Sequence, residues 1–189
     1  MHKQYLSCIL IILLMLTGRP AFSQRFRFDE IEPGRKEIAL FFGYGENHRI
    51  PHATKDRFAF DAAKIRFGRF TSPRNEVALD ISAGKLDASQ SNSALWVTTT
   101  FRQLFLVRGS TAASWDVSFG IMHLQERVSS LGTKTNFTEQ LGFTLQYATG
   151  PATSINIEYK FYHVSNGGIR LPNIGINASL VSVGHSWYF

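Results

Sequence analysis

The sequence predicts an all-β fold, an eight-stranded antiparallel transmembrane β-barrel, on three observations. Apolar and polar residues alternate with a period of two in eight segments, short turns alternate with longer polar connections, and the last residue is an aromatic on an apolar face. With 189 residues, 44% of them hydrophobic, the chain has the length of one domain and is too apolar for a disordered tail. Sixteen Phe and 15 Gly suit many short strands and turns. A mean hydropathy of −0.07 excludes a helical membrane protein but not a barrel, whose strands are apolar on one face only.

Residues 1–23 read as a secretory signal peptide, leaving residues 24–189 as the barrel. Lys3 gives a basic start, Leu6 to Leu16 is an almost unbroken apolar run, and Ala21 and Ser23 place small residues before a cut at Gln24. Arg19-Pro20 ends the run short of the ~20 residues a retained helix needs. The single Cys, Cys8, lies inside that run, which excludes an intrachain disulfide and a cysteine zinc site in the mature chain. The net charge falls from +6 to +4 without Lys3 and Arg19, a modest basic excess that fits ordinary surface charge, is compatible with anionic lipid or lipopolysaccharide, and makes no case for nucleic acid.

The strands then follow in order. The first covers 36–44. The second, 58–70, carries Phe58, Phe60 and Ala62 on one parity and Ile65 and Phe67 on the other, which reads as a β-bulge. The third alternates Val77, Leu79, Ile81 and Ala83 with Asp80 and Ser82; the fourth covers 93–107; the fifth alternates Trp115, Val117, Phe119 and Ile121 with Asp116 and Ser118. The sixth covers 135–148, the seventh sets Ile155, Ile157, Tyr159 and Phe161 against Asn156, Glu158 and Lys160, and the eighth, 177–189, ends with Val181, Val183, Trp187 and Phe189 on one face together with His185. Turns after strands two, four and six are short and the other connections longer, as in an outer-membrane barrel with tight periplasmic turns. A soluble eight-stranded barrel would turn its apolar face inward around a ligand and gain nothing from an aromatic terminus. Asp80, Arg102, Asp116, Glu158 and Lys160 therefore point into a lumen just wide enough for side chains, a polar plug rather than a channel.

The chemistry concentrates at the outer end of the seventh strand. His163 and Ser165 share the parity of Phe161, and two residues on one strand face lie about 6 to 7 Å apart, within reach of an imidazole nitrogen for a hydroxyl. Such a pair can activate a serine to attack an ester, while Asn166 and the Gly167 and Gly168 amides can supply oxyanion donors. The same residues also fit a polar strand end followed by a glycine turn. His48 and His52, four apart in the first long loop with no helical period, read as loop residues and not as metal ligands. Arg49, Lys55 and Arg57 with Arg170 form a basic outer rim; Arg170 and Arg49 are candidate contacts to lipid phosphates and equally fit solvated loop residues.

His163-Val164-Ser165-Asn166-Gly167-Gly168, the Pro172-Asn173 that follows and the eight-strand layout resemble the PagL-type outer-membrane lipid A 3-O-deacylases. The resemblance implies a serine esterase of the bacterial outer membrane. It would remove the acyl chain ester-linked at the 3-position of lipid A in lipopolysaccharide, with no metal or cofactor. By carry-over Ser165 is the nucleophile, His163 the general base, and Asn166 with Gly167 and Gly168 the oxyanion donors. One departure stands out: the family has an acid about a dozen residues beyond the serine to orient the histidine, and here no Asp or Glu follows Ser165. Asn177 and Ser179 occupy that stretch and can hydrogen-bond an imidazole without stabilising its cation. Glu139 is a further candidate, because pairing 148 with 154 about the Gly150-Pro151 turn sets 139 opposite 163; it equally fits a solvated carboxylate at the headgroup rim. The alternative is a non-catalytic barrel for adhesion, envelope integrity or lipid binding. A palmitoyl-transferring barrel fits less well, since it would hold an acyl chain in a lumen read here as polar.

Overall fold

The computed structural model describes residues 25–48, 57–87 and 92–189, so the expected leader, Arg49, His52 and Lys55 lie outside the described residues. A single 3-10 turn (Phe28–Glu30) precedes eight strands: β1 (Lys36–Asn47), β2 (Ala59–Phe70), β3 (Asn75–Asp87), β4 (Asn92–Arg108), β5 (Thr111–Leu124), β6 (Thr135–Gly150), β7 (Thr153–Ser165) and β8 (Ile176–Tyr188). Each pairs antiparallel with the next, and β1 pairs with β8 to close the barrel. Closure leaves no sheet edge, the condition for a sheet to cross hydrocarbon. β3 and β4 extend further than their alternation indicates, so the connection between them shrinks to residues 88–91 and is not one of the long loops.

The two faces separate as the parity requires. Val77, Leu79, Trp115, Phe119, Ile155 and Phe161 are exposed or half-exposed on the outer wall, whereas Asp80, Arg102, Asp116, Glu158 and Lys160 are buried in the lumen. His185, the odd member of the outer face, lies against Trp187 with ring centroids 4.4 Å apart.

The bulge expected in β2 is absent: β2 pairs without a break with β1 and with β3. Phe58, Phe60 and Ala62 point inward, and the apparent change of parity marks a change in what fills the lumen. Register shifts occur instead at Leu104/Leu106 in β4 and Ala148/Gly150 in β6.

The lumen is filled as a plug, but in layers, and only its middle is polar. In the middle, Arg66 makes two 2.7 Å bonds to Asp80, Lys64 meets Glu158 at 2.5 Å, Lys160 meets Asp116 at 2.6 Å, and Arg102 joins Glu37 and Glu76. Toward the long loops the filling is apolar, with Phe60, Trp96, Leu124, Leu131, Tyr162 and Val164 in one cluster. The space left there is about 40 Å³, room for a few waters and too small for an acyl chain. At the opposite end the N-terminal segment acts as a stopper. Phe26 stacks on Tyr188 at 4.3 Å, and the Phe26 and Phe28 amides donate to the Gly150 and Gly109 carbonyls at 2.7 and 2.8 Å. A lumen sealed by side chains leaves the outer wall and its rim as the surfaces available for chemistry.

Candidate active site

β7 carries His163 and Ser165 outward because Tyr162 and Val164, alternating with them, are buried in the apolar end of the lumen. Both polar residues are half-buried on the wall, at the level where the strands give way to the outer loops. β7 pairs with β6 on one side and β8 on the other, so His163 faces Glu139 across one pair and Asn177 across the other.

The imidazole is bound on the β8 side. His163 Nδ1 and Asn177 Oδ1 are 2.8 Å apart, and since an amide oxygen only accepts, the ring donates from Nδ1. That bond selects the tautomer whose Nε2 lone pair is free, the form a general base requires. Gly175 packs on the same ring. It has φ of +79°, and a Cβ there would come within 3.2 Å of His163 Cε1, so both backbone conformation and space favour glycine. Glu139 is exposed and makes no hydrogen bond or ion pair among the described residues. No hydrogen bond joins Ser165 to His163 among the described residues either; such contacts often tighten only around a substrate.

The loop after Ser165 is held by Asn166. Its buried amide donates to the Leu131 carbonyl at 2.5 Å and the Arg170 carbonyl at 2.6 Å, and its Oδ1 accepts from the Gly168 N–H at 2.9 Å. Its own backbone N–H donates to Asn173 Oδ1 at 2.9 Å. Of the three expected oxyanion residues, Gly167 alone keeps a backbone N–H without a partner among the described residues.

The matching family model describes the lipid A 3-O-deacylase (PagL) and aligns with residues 63–186. The chain belongs to the lipid A 3-O-deacylase (PagL) family. Among solved structures it is similar to the outer membrane enzyme PagL, with 18% identity over 78% of this chain and 97% of that one at a TM-score of 0.55. Neisserial surface protein A follows with 8% identity, coverage of 82% and 99%, and a TM-score of 0.63. OprG from Pseudomonas aeruginosa has 8% identity, coverage of 88% and 99%, and a TM-score of 0.55. At these identities the likeness shows the fold. No curated protein matches the chain. This PagL-family chain is an outer-membrane β-barrel.

A second polar group lies on the same wall of this PagL-family barrel. His48, just past β1, places Nε2 2.7 Å from Ser179 Oγ, whose other neighbour is the Tyr159 hydroxyl at 2.7 Å. The His48 ring lies 6.0 Å from that of Phe161, and its backbone N–H donates to the Asn177 carbonyl at 2.7 Å. Ser179, one of the two β8 candidates for orienting His163, is thus engaged by His48, while Asn177 takes His163. The signal available in the sequence was the shared outward parity of Tyr159 and Ser179; nothing in it brings His48 to them. Arg170 is exposed in the β7–β8 loop.

Proposed function

We propose that this chain hydrolyses the 3-O-linked acyl ester of lipid A with Ser165 as nucleophile and His163 as general base, after export directed by residues 1–23. The observation that carries the reading is the 2.8 Å bond from His163 Nδ1 to Asn177, which leaves Nε2 free on the wall face that also holds Ser165. His163 Nε2 takes the proton of Ser165 Oγ as the oxygen attacks the ester carbonyl. The tetrahedral oxyanion is met by the Gly167 N–H, then collapses and expels the sugar 3-hydroxyl, which receives the proton from Nε2. Water, deprotonated by the same nitrogen, releases the fatty acid from Ser165 and restores the pair. A site on the outer wall suits a substrate whose acyl chains already lie in the bilayer, because the chain need not leave hydrocarbon to present its ester at the rim.

In this scheme Asn177 orients His163, Glu139 is the competing candidate, and Asn166 builds the loop that presents the Gly167 amide. The test is mass spectrometry of purified lipid A incubated with the refolded barrel. The expected result is loss of one 3-O-linked acyl chain with the intact chain and with neither Ser165→Ala nor His163→Ala. Normal deacylation by a folded Ser165→Ala barrel would overturn the mechanism. The second reading, a non-catalytic barrel, draws on the absence of a carboxylate bound to His163, and unaltered lipid A in this assay would favour it.

A further inference from the structure

We propose that the groove between the β5–β6 and β7–β8 loops binds a phosphate group on the headgroup of the same glycolipid. The proposal takes the identity of the lipid from the deacylase reading; the groove itself stands on separate observations. It has a volume of about 480 Å³, and its lining combines Arg127, Lys134 and Arg170 with Ile121, Phe137 and Ile169. Three cations and three hydrocarbon side chains in one groove match the boundary of an anionic amphiphile, which carries both a headgroup phosphate and acyl chains.

The cations are available. Arg127 and Arg170 make no ion pair or side-chain hydrogen bond among the described residues, and both are exposed. Lys134 Nζ donates to the Gln125 carbonyl at 2.6 Å and lies 3.3 Å from the Glu126 carboxylate. That ion pair is solvent-exposed on both sides and of little worth, so it gives way readily to a phosphate. Two unpaired guanidiniums around one groove repel each other unless an anion lies between them, and a phosphate accepts the paired N–H bonds a guanidinium offers.

The groove is also built rather than incidental. The fully buried Asn166 bonds the Leu131 and Arg170 carbonyls together, and the Ile174 N–H donates to the Ser130 carbonyl at 2.9 Å, so the two loops hold each other in place. Its position fits the reaction. Phe137 is the cross-strand partner of Ser165, and its ring lies 3.1 Å from where a Cβ on Gly167 would sit. The groove therefore opens beside the nucleophile, on the β6 side, while Asn177 holds the base from the β8 side. A phosphate held there fixes one end of the sugar headgroup while the ester meets Ser165, which selects among several ester-linked chains by geometry.

The experiment measures binding to Ser165→Ala barrels in detergent, with three probes: bisphosphorylated lipid A, the same lipid A stripped of phosphate, and inorganic phosphate. The parent is expected to bind the phosphorylated lipid at least tenfold more tightly than the stripped one. Arg127→Gln combined with Arg170→Gln should abolish most of that preference, whereas Lys85→Gln, removing one positive charge from the outer face of β3, should retain it. Competition by millimolar inorganic phosphate would show that the groove recognises the phosphate itself; its absence, with the preference intact, would show that the phosphate must be presented on the lipid, and either result supports the site. An unchanged preference in the double variant, no preference in the parent, or an equal loss in Lys85→Gln would overturn it. Failure of the deacylase reading is seen separately, as unaltered lipid A with the intact chain.

Discussion

Asn177 accepts the Nδ1 proton of His163 through a neutral carbonyl, so it holds the ring and selects the tautomer but adds no charge to steady an imidazolium. Asn177→Asp keeps the 2.8 Å geometry and supplies the charge; kcat for lipid A should rise by roughly 10- to 100-fold, read from released fatty acid. Asn177→Ala should lower kcat by roughly tenfold or more, since the ring is then free to turn. Glu139→Gln is the comparison: if it costs more than Asn177→Ala, the orienting group comes from β6. Gly175→Ala tests the other contact to the ring. The left-handed backbone costs about 1–2 kcal/mol for alanine and the methyl crowds Cε1, so kcat should drop while the barrel still folds, as seen by its heat-modifiable mobility on gels.

At the scale of elements, Asn166 is the joint between two loops. Three of its bonds satisfy loop backbone groups: its amide donates to Leu131 and Arg170, and its oxygen accepts from Gly168. Asn166→Ala should therefore cost about 1–3 kcal/mol locally by leaving buried groups unpaired. The expected readout is faster protease cleavage in the β5–β6 and β7–β8 loops, with loss of activity and an intact strand core. Asn166→Asp should do nearly as much harm, because the bonds lost are the two that only an amide can donate. Equal protection of both loops in Asn166→Ala would refute this role.

At the scale of the molecule, paired charges fill the middle of the barrel. Four cations and five carboxylates are buried in the lumen, and Arg102 bridges two of the acids, Glu37 and Glu76. Arg102→Met removes one partner and leaves two buried carboxylates facing each other, so about 3–5 kcal/mol of stability should be lost, measured as a lower urea midpoint in micelles. What the sequence determined by itself follows from the strand's two-residue period, a local property of the backbone. That period placed Val77 and Phe119 outside and Asp80 and Lys160 inside, set Glu139 opposite His163, and put His163 and Ser165 on one face. It did not determine what an inward apolar residue means. In the sequence Phe58 and Phe60 read as one side of a bulge, because bilayer and sealed lumen end both accept aromatics and only closure of the sheet distinguishes them. Nor does the period say which way a side chain leans between two neighbouring strands. His163 has Glu139 on one side and Asn177 on the other, and the tertiary structure decided for Asn177 where Gly175 leaves room for the ring; the same packing brought His48, more than 100 residues away, onto Ser179.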